Sequence, residues 1–181
     1  LDVSGATLKG SFDAVTTRLY AHYAVSDDAK IYVSVSEGFR SGGFNPAASV
    51  ALGAPATFDP EELLSYELGT KLSFPENGLS VEAALFYSEY SDIQILGLAG
   101  GLGFGFTGNV GEAEIKGLEW AVKWTPIASL TLGFSGDTVD TEFSSINATS
   151  TGHIVGDPID LVPDYSVSIS ADYEFSWSND A

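Results

Sequence analysis

The side chains best suited to hold a ligand lie in one short stretch, Gly38-Phe-Arg-Ser-Gly-Gly-Phe-Asn45, which carries Arg40, Phe44 and Asn45. A guanidinium offers a planar fork of donors that matches an anionic chelate. The same fork suits a carboxylate of the protein's own wall, such as Glu67, so Arg40 has a structural reading beside the binding one. Phe44 and Asn45 either touch ligand or fix the loop, and the nearby Gly38, Gly42 and Gly43 most simply serve backbone shapes that other residues resist. Phe104 and Phe106 form a second candidate, on an aromatic-bearing loop that meets either an apolar ligand or neighbouring loops. Their segment, Gly103-Phe-Gly-Phe-Thr-Gly108, formally matches a dinucleotide fingerprint, but no helix follows and no βαβ unit surrounds it, so that reading is dismissed.

Other chemistry finds less support. His22 and His153 are too few and too separate for a metal site. Asp157, Asp160 and Asp164 offer oxygen ligands, but with prolines between them and without the spacing of a calcium loop. Glu67 and Lys71 read as part of a wall ion-pair network rather than as acid and base. The sequon Asn147-Ala-Thr149 carries no functional weight here. No nucleophile-elbow, zinc or phosphate-loop signature is present, so the expectation is a non-enzyme with no cofactor and no metal.

The elements that position these residues are strands. Period-two alternation marks seven of them, at about 12–25, 30–40, 62–74, 79–96, 110–124, 129–143 and 164–177, and no stretch has a convincing helical period. Short turns at Ser26–Ala29, Pro75–Gly78 and Pro126–Ala128, with a fourth at Ser178–Asp180, alternate with long connections at 41–61, 97–109 and 144–163. Outer-membrane barrels have this asymmetry, with short periplasmic turns and long outer loops.

Parity within the ten or so residues next to each short turn separates two faces. One collects Leu19, Ile31, Val33, Leu68, Val81, Leu85, Trp120, Val122, Phe134 and Ile169, with two charges, Glu37 and Lys116, toward its outer end. The other collects Arg18, Lys30, Glu67, Lys71, Glu82, Glu119, Lys123, Asp137, Asp172 and Glu174. Charge belongs on a wet lumen, because an ion facing lipid costs roughly 2–4 kcal/mol at mid-depth. Tyr23, Phe74, Trp124 and Trp177 sit beside short turns on the apolar face, as interfacial aromatics would. Phe39, Tyr66 and Tyr87 would form part of an upper girdle.

Composition narrows the function classes. A net charge of -18 with only 7 Lys+Arg excludes a basic nucleic-acid surface. The absence of cysteine removes disulfides and thiolate chemistry. The nearly apolar run Ile95–Phe106 is too short for a spanning helix, which needs about 18 residues, and glycines interrupt it. The chain starts at Leu1 and contains no methionine, so it is expected to be a piece of a longer product.

The motifs, taken in order, resemble those of TonB-dependent outer-membrane receptors. Tyr32-Val-Ser-Val-Ser-Glu-Gly-Phe-Arg-Ser-Gly-Gly-Phe-Asn45 is followed by Phe58-Asp-Pro-Glu61, Ser65-Tyr-Glu-Leu-Gly-Thr-Lys71 and Ala84-Leu-Phe-Tyr87. Tyr90-Ser-Asp-Ile-Gln94, Asn109-Val-Gly-Glu-Ala113 and Ile115-Lys-Gly-Leu-Glu119 come next, and the likeness covers about Phe12 to Tyr173. It implies an all-β, antiparallel transmembrane β-barrel of roughly 22 strands, of which residues 1–181 would supply seven consecutive strands as an open curved sheet. The plug domain and the C-terminal closing strand are expected to lie outside this chain. The resemblance further implies a wall segment of a Gram-negative outer-membrane receptor, energised by the TonB complex through the plug. Its ligand would be a siderophore-type iron chelate, haem, cobalamin or a glycan, and its other partner membrane lipid. Two alternatives stand beside it: the wall of a passive channel, and a soluble or surface-displayed β-protein with a two-layer core.

Overall fold

The computed structural model describes residues 9–99, 103–147 and 152–175. Its elements are β1 (Arg18–Ser26), β2 (Ala29–Arg40), β3 (Gly43–Phe44), α1 (Ala47–Ala51), β4 (Thr57–Phe58), β5 (Glu61–Phe74), a 3₁₀ turn (Pro75–Asn77), β6 (Leu79–Ser91), β7 (Gln94–Ala99), β8 (Phe104–Asn109), β9 (Gly111–Ile127), β10 (Leu130–Ile146) and β11 (Tyr165–Tyr173). Seven strands form one antiparallel meander in the order β1-β2-β5-β6-β9-β10-β11. The sheet is open: β1 and β11 are its two edges. Two small hairpins, β3-β4 and β7-β8, stand apart from it.

Strand pairing keeps the two sequence-derived faces in phase across the whole sheet. One row runs Leu19, Val35, Tyr66, Tyr87, Lys116 and Asp140 through five successive pairings. A lower row runs Val81, Val122, Phe134 and Ile169. A one-residue slip in any pairing would throw a strand's apolar set onto the charged face, so this coincidence fixes register. No second sheet covers the apolar face among the described residues, and large side chains stand open on it: Leu19 at 65%, Leu85 at 57% and Ile169 at 72% exposure. An apolar surface of that extent marks a face built for a non-aqueous neighbour, which removes the two-layer alternative.

The apolar band has readable limits. Tyr23, Phe74 and Trp124 sit near the short turns, while Trp177 and the turn at Ser178–Asp180 lie outside the described residues. At the other end Tyr66 stacks on Tyr87, centroids 6.5 Å apart. In the same row Lys116 Nζ is 3.1 Å from Asp140 Oδ2, and one row above come Glu89, Glu114 and Glu142 in register. The run Leu79–Tyr87 spans about 26 Å along the strand at about 3.3 Å per residue, or about 20 Å after a tilt of about 40°, close to the ~25 Å of a barrel's apolar girdle.

Several expected boundaries change, each for a local reason. β1 starts at Arg18 rather than near residue 12, and β11 ends at Tyr173. The strand expected over 79–96 stops at Ser91, because Asp92 takes a positive φ of 52° and turns the chain. The loop expected over 97–109 is therefore half of a hairpin, β7-β8. Pro126 is not in a turn. It lies within β9 beside a register shift between Leu130 and Leu132, where a residue without an N–H is tolerated, and the turn falls at Ala128-Ser129. Gly78, at φ 60°, closes the β5-β6 turn in the left-handed region.

These opposed faces predict the effect of one charge at two neighbouring positions. In the complete protein, Val122→Arg is expected to cost about 2–4 kcal/mol of membrane stability, whereas Ala121→Arg, on the opposite face, should cost much less. Quantifying folded, heat-modifiable protein in the membrane fraction checks this, and equal effects would contradict the assignment of faces.

Candidate functional site

The long connections gather at one end of the sheet, and polar side chains from the motif stretches converge there. Glu61 opens β5 and is only 4% exposed. A buried carboxylate has to be paired and hydrogen-bonded, and this one has three donors. Arg40 Nη2 donates to Glu61 Oε2 at 2.6 Å, the Gln94 backbone N–H to the same oxygen at 2.7 Å, and the Tyr90 hydroxyl to Oε1 at 2.8 Å. Arg40 Nη2 also donates to the Gln94 carbonyl at 3.0 Å. The ends of β2, β5, β6 and β7 are thereby fixed to one another.

A second set of bonds continues from Gln94. Its Nε2 donates to the carbonyls of Ser41 at 3.1 Å and Asp59 at 3.0 Å. Asn109 accepts from the Asp59 N–H at 2.7 Å, and its Nδ2 donates to the carbonyls of Asp59 and Asp92 at 2.9 and 2.7 Å. Asn45, 8% exposed, donates from Nδ2 to Thr107 O at 2.7 Å and to Pro55 O at 3.0 Å, while its Oδ1 accepts from Thr107 N–H at 2.7 Å.

A small apolar cluster sits beside this network, on the side of the sheet that carries the charges. Ile93, Ala113 and fully buried Phe143 form it, with Tyr90, Ile95, Val110, Ile146 and Ile159 packed around. The connection after β10 folds onto it: Phe143 N–H donates to Asp157 O, Gly156 N–H to Phe143 O, and Ile159 N–H to Thr141 Oγ1, each at 2.9 Å. His153 lies on Phe143 with centroids 5.1 Å apart and its Nε2 is 3.7 Å from Asp160. Asp157 Oδ2 accepts from the Ile154 N–H.

The binding candidates therefore occupy different settings. Arg40 is paired, though with Glu61 rather than Glu67, and Asn45 is fully engaged by backbone groups. Phe44 is 39% exposed and Phe104 45% exposed, so both present ring surface. Phe106 lies over Gly97 of its own hairpin, where a Cβ would be 2.7 Å from the ring. Leu96 and Leu98, on the opposite strand of that hairpin, are 75% and 66% exposed.

Lower on the sheet, Lys71 Nζ is 2.8 Å from Glu82, not from Glu67. Tyr20 stacks on Tyr32 at 5.6 Å, and Lys71 lies 6.0 Å from the Tyr32 centroid. Tyr32 also lies so close over Gly69 that any larger residue there would collide with its ring. Glu119 stands directly opposite Asp137, Arg18 opposite Ser36, and Lys123 between Ser80 and Gly133. Sequence reasoning passed over Glu61, Tyr90, Gln94 and Asn109. Their signal was already in the motifs Phe58-Asp-Pro-Glu61, Tyr90-Ser-Asp-Ile-Gln94 and Asn109-Val-Gly-Glu-Ala113, each of which sends at least one polar residue to this network.

Glu61→Ala would leave the Tyr90 hydroxyl and the Gln94 amide, both part-buried, without partners, at up to about 1–3 kcal/mol each. Arg40→Ala leaves both of those bonds in place, although it strips the buried carboxylate of its ion-pair partner. Hydrogen exchange at the Gln94 amide checks this: protection is expected to collapse in Glu61→Ala and to persist largely in Arg40→Ala.

A family model described as "TonB dependent receptor-like, beta-barrel" matches residues 2–181. The pesticin receptor of Yersinia enterocolitica is 28% identical over 162 residues, which is 90% of this chain and 23% of that protein. Among solved structures, the ferric yersiniabactin uptake receptor FyuA from Yersinia pestis aligns with a TM-score of 0.69 at 26% identity, over 86% of this chain and 22% of that one. BauA, the ferric preacinetobactin receptor from Acinetobacter baumannii, shares the fold, with a TM-score of 0.63 at 20% identity over 90% of this chain and 23% of its own. The chain thus spans less than a quarter of the length of these relatives.

Proposed function

We propose that this chain, which belongs to the TonB-dependent receptor-like β-barrel family, supplies wall strands and outer loops of a Gram-negative outer-membrane receptor that actively imports a siderophore-type iron chelate. The observation that carries the reading is the in-phase apolar face of seven strands, bounded by aromatic and charged rows and open to a non-aqueous neighbour. Lipid satisfies that face. Strands beyond β1 and β11 would complete the barrel, since an open edge in hydrocarbon leaves backbone groups unpaired at several kcal/mol each. On this reading Arg18, Glu67, Lys71, Glu82, Glu119 and Lys123 line the lumen, and Tyr23, Phe74, Trp124 and Trp177 anchor the inner interface.

The ligand class is supported by the relatives, one of them named for uptake of ferric yersiniabactin. Phe104 and Phe44 are the ring surfaces open to such a ligand. Arg40 and Asn45 contribute by holding the loops that carry them, with Phe106 stiffening the hairpin. Energy would come from the TonB complex acting through a plug domain elsewhere in the receptor. The role is transport, with no catalytic residue assigned.

Uptake of radioactive iron presented as siderophore chelates, by cells producing the complete receptor with and without functional TonB, tests the proposal. Accumulation that vanishes with TonB is expected. Accumulation independent of TonB would point to a passive channel instead. Phe104→Ala should weaken chelate binding by roughly tenfold, as loss of an aromatic anchor does, with an unchanged amount of receptor in the membrane. Unchanged affinity would remove Phe104 from the binding surface.

A further inference from the structure

The connection between β2 and β5 and the hairpin β7-β8 come from different parts of the chain, yet the bonds between them follow a pattern that neighbouring strands usually supply. In an antiparallel pair, alternate residues of a strand turn both their N–H and C=O away from the partner. Thr107 is such a residue in β8: opposite Leu96, it directs both groups to the Asn45 side chain, N–H to Oδ1 and O to Nδ2, each at 2.7 Å. Two residues earlier on the same edge, the Gly105 carbonyl accepts from Ser49 Oγ at 2.7 Å, and Ser49 is 1% exposed. Asn45, just before α1, and Ser49, within it, thus cap two positions two residues apart on that edge, about 6.8 Å along the strand. Asp59, bonded at both its N–H and its carbonyl to Asn109, continues the same seam. Ala54 and Ala99 are both buried, at 8% and 4% exposure.

We infer that Asn45 and Ser49 are positioning residues that stand in for an edge strand, joining the 41–60 connection and the β7-β8 hairpin into one rigid outer body that stays intact through ligand capture and transport. The consequence for specificity is direct: Phe44 and Phe104 are held in a fixed relation, so this part of the binding surface is built before the ligand arrives. An edge capped by side chains is also closed to pairing with other chains.

The part that concerns ligand rests on the receptor reading, so the test has arms that do not depend on it. In the complete receptor, Ser49→Cys with Gly105→Cys would be joined by a short bis-methanethiosulfonate linker. Such a linker relaxes the geometry that a direct disulfide demands, and dithiothreitol releases it. Without any ligand, near-complete linking is expected, together with protection of the 41–60 connection from protease equal to that of the unlinked receptor. Poor linking with both thiols reactive, or a large gain in protection on linking, would overturn the inference whatever the receptor transports.

With a ferric chelate as probe, binding and uptake are expected to be unchanged by the linker. Retained binding with lost uptake, restored by dithiothreitol, would show that the two loops must separate. Asn45→Ala should weaken chelate binding about tenfold through lost buried hydrogen bonds, and linking in that background should restore it. Failure to restore would make Asn45 a ligand contact instead. If the unaltered receptor binds no chelate at all, the receptor reading fails while the linking and protease results still decide the rigid body.

Discussion

A strand facing hydrocarbon has nowhere to place an unpaired amide or a misplaced charge, and this double demand governs the chain. It explains why six strand pairings hold one phase, and why charges appear on the outward face only from the row of Lys116 and Asp140 upward. The few close approaches obey the same limits. Tyr32 lies over Gly69, and Phe86 over Gly117, because the charged face needs large side chains where the facing strand supplies none.

Within the wall, most of the structure is legible in the sequence, because a two-sided strand writes its environment into every second residue. The parity of Val81, Val122, Phe134 and Ile169 is enough to place them in one row before any pairing is known. Legibility fails where the period outlasts the strand. Ile93 and Ile95 continue the alternation of β6, but a left-handed Asp92 separates them from it and sends Ile93 into the cluster around Phe143. Pro126 reads as a turn because its missing N–H excludes it from most ladders, and the register shift that accommodates it has no signature in composition.

The outer site was harder to read for a different reason. Arg40, Glu61, Tyr90, Gln94 and Asn109 lie far apart in sequence, and their partners are mostly backbone groups, which no residue type announces. Arg40 illustrates the consequence: the fork suited to an anionic ligand is occupied by Glu61. There it fixes the ends of β2, β5 and β7 to one another. The exposed rings and leucines of the outer loops depend on that fixation for their positions.

The most direct test of the lipid-facing assignment is an accessibility scan of β9. Single spin labels from Leu118 to Trp124 in the complete receptor, reconstituted in bilayers, would be relaxed by oxygen, which concentrates in lipid, and by a water-soluble nickel chelate. Positions 118, 120, 122 and 124 should respond to oxygen and positions 119, 121 and 123 to nickel, alternating residue by residue. A uniform response along the strand, or the opposite phase, would contradict a wall with one face in lipid and the other in a wet lumen.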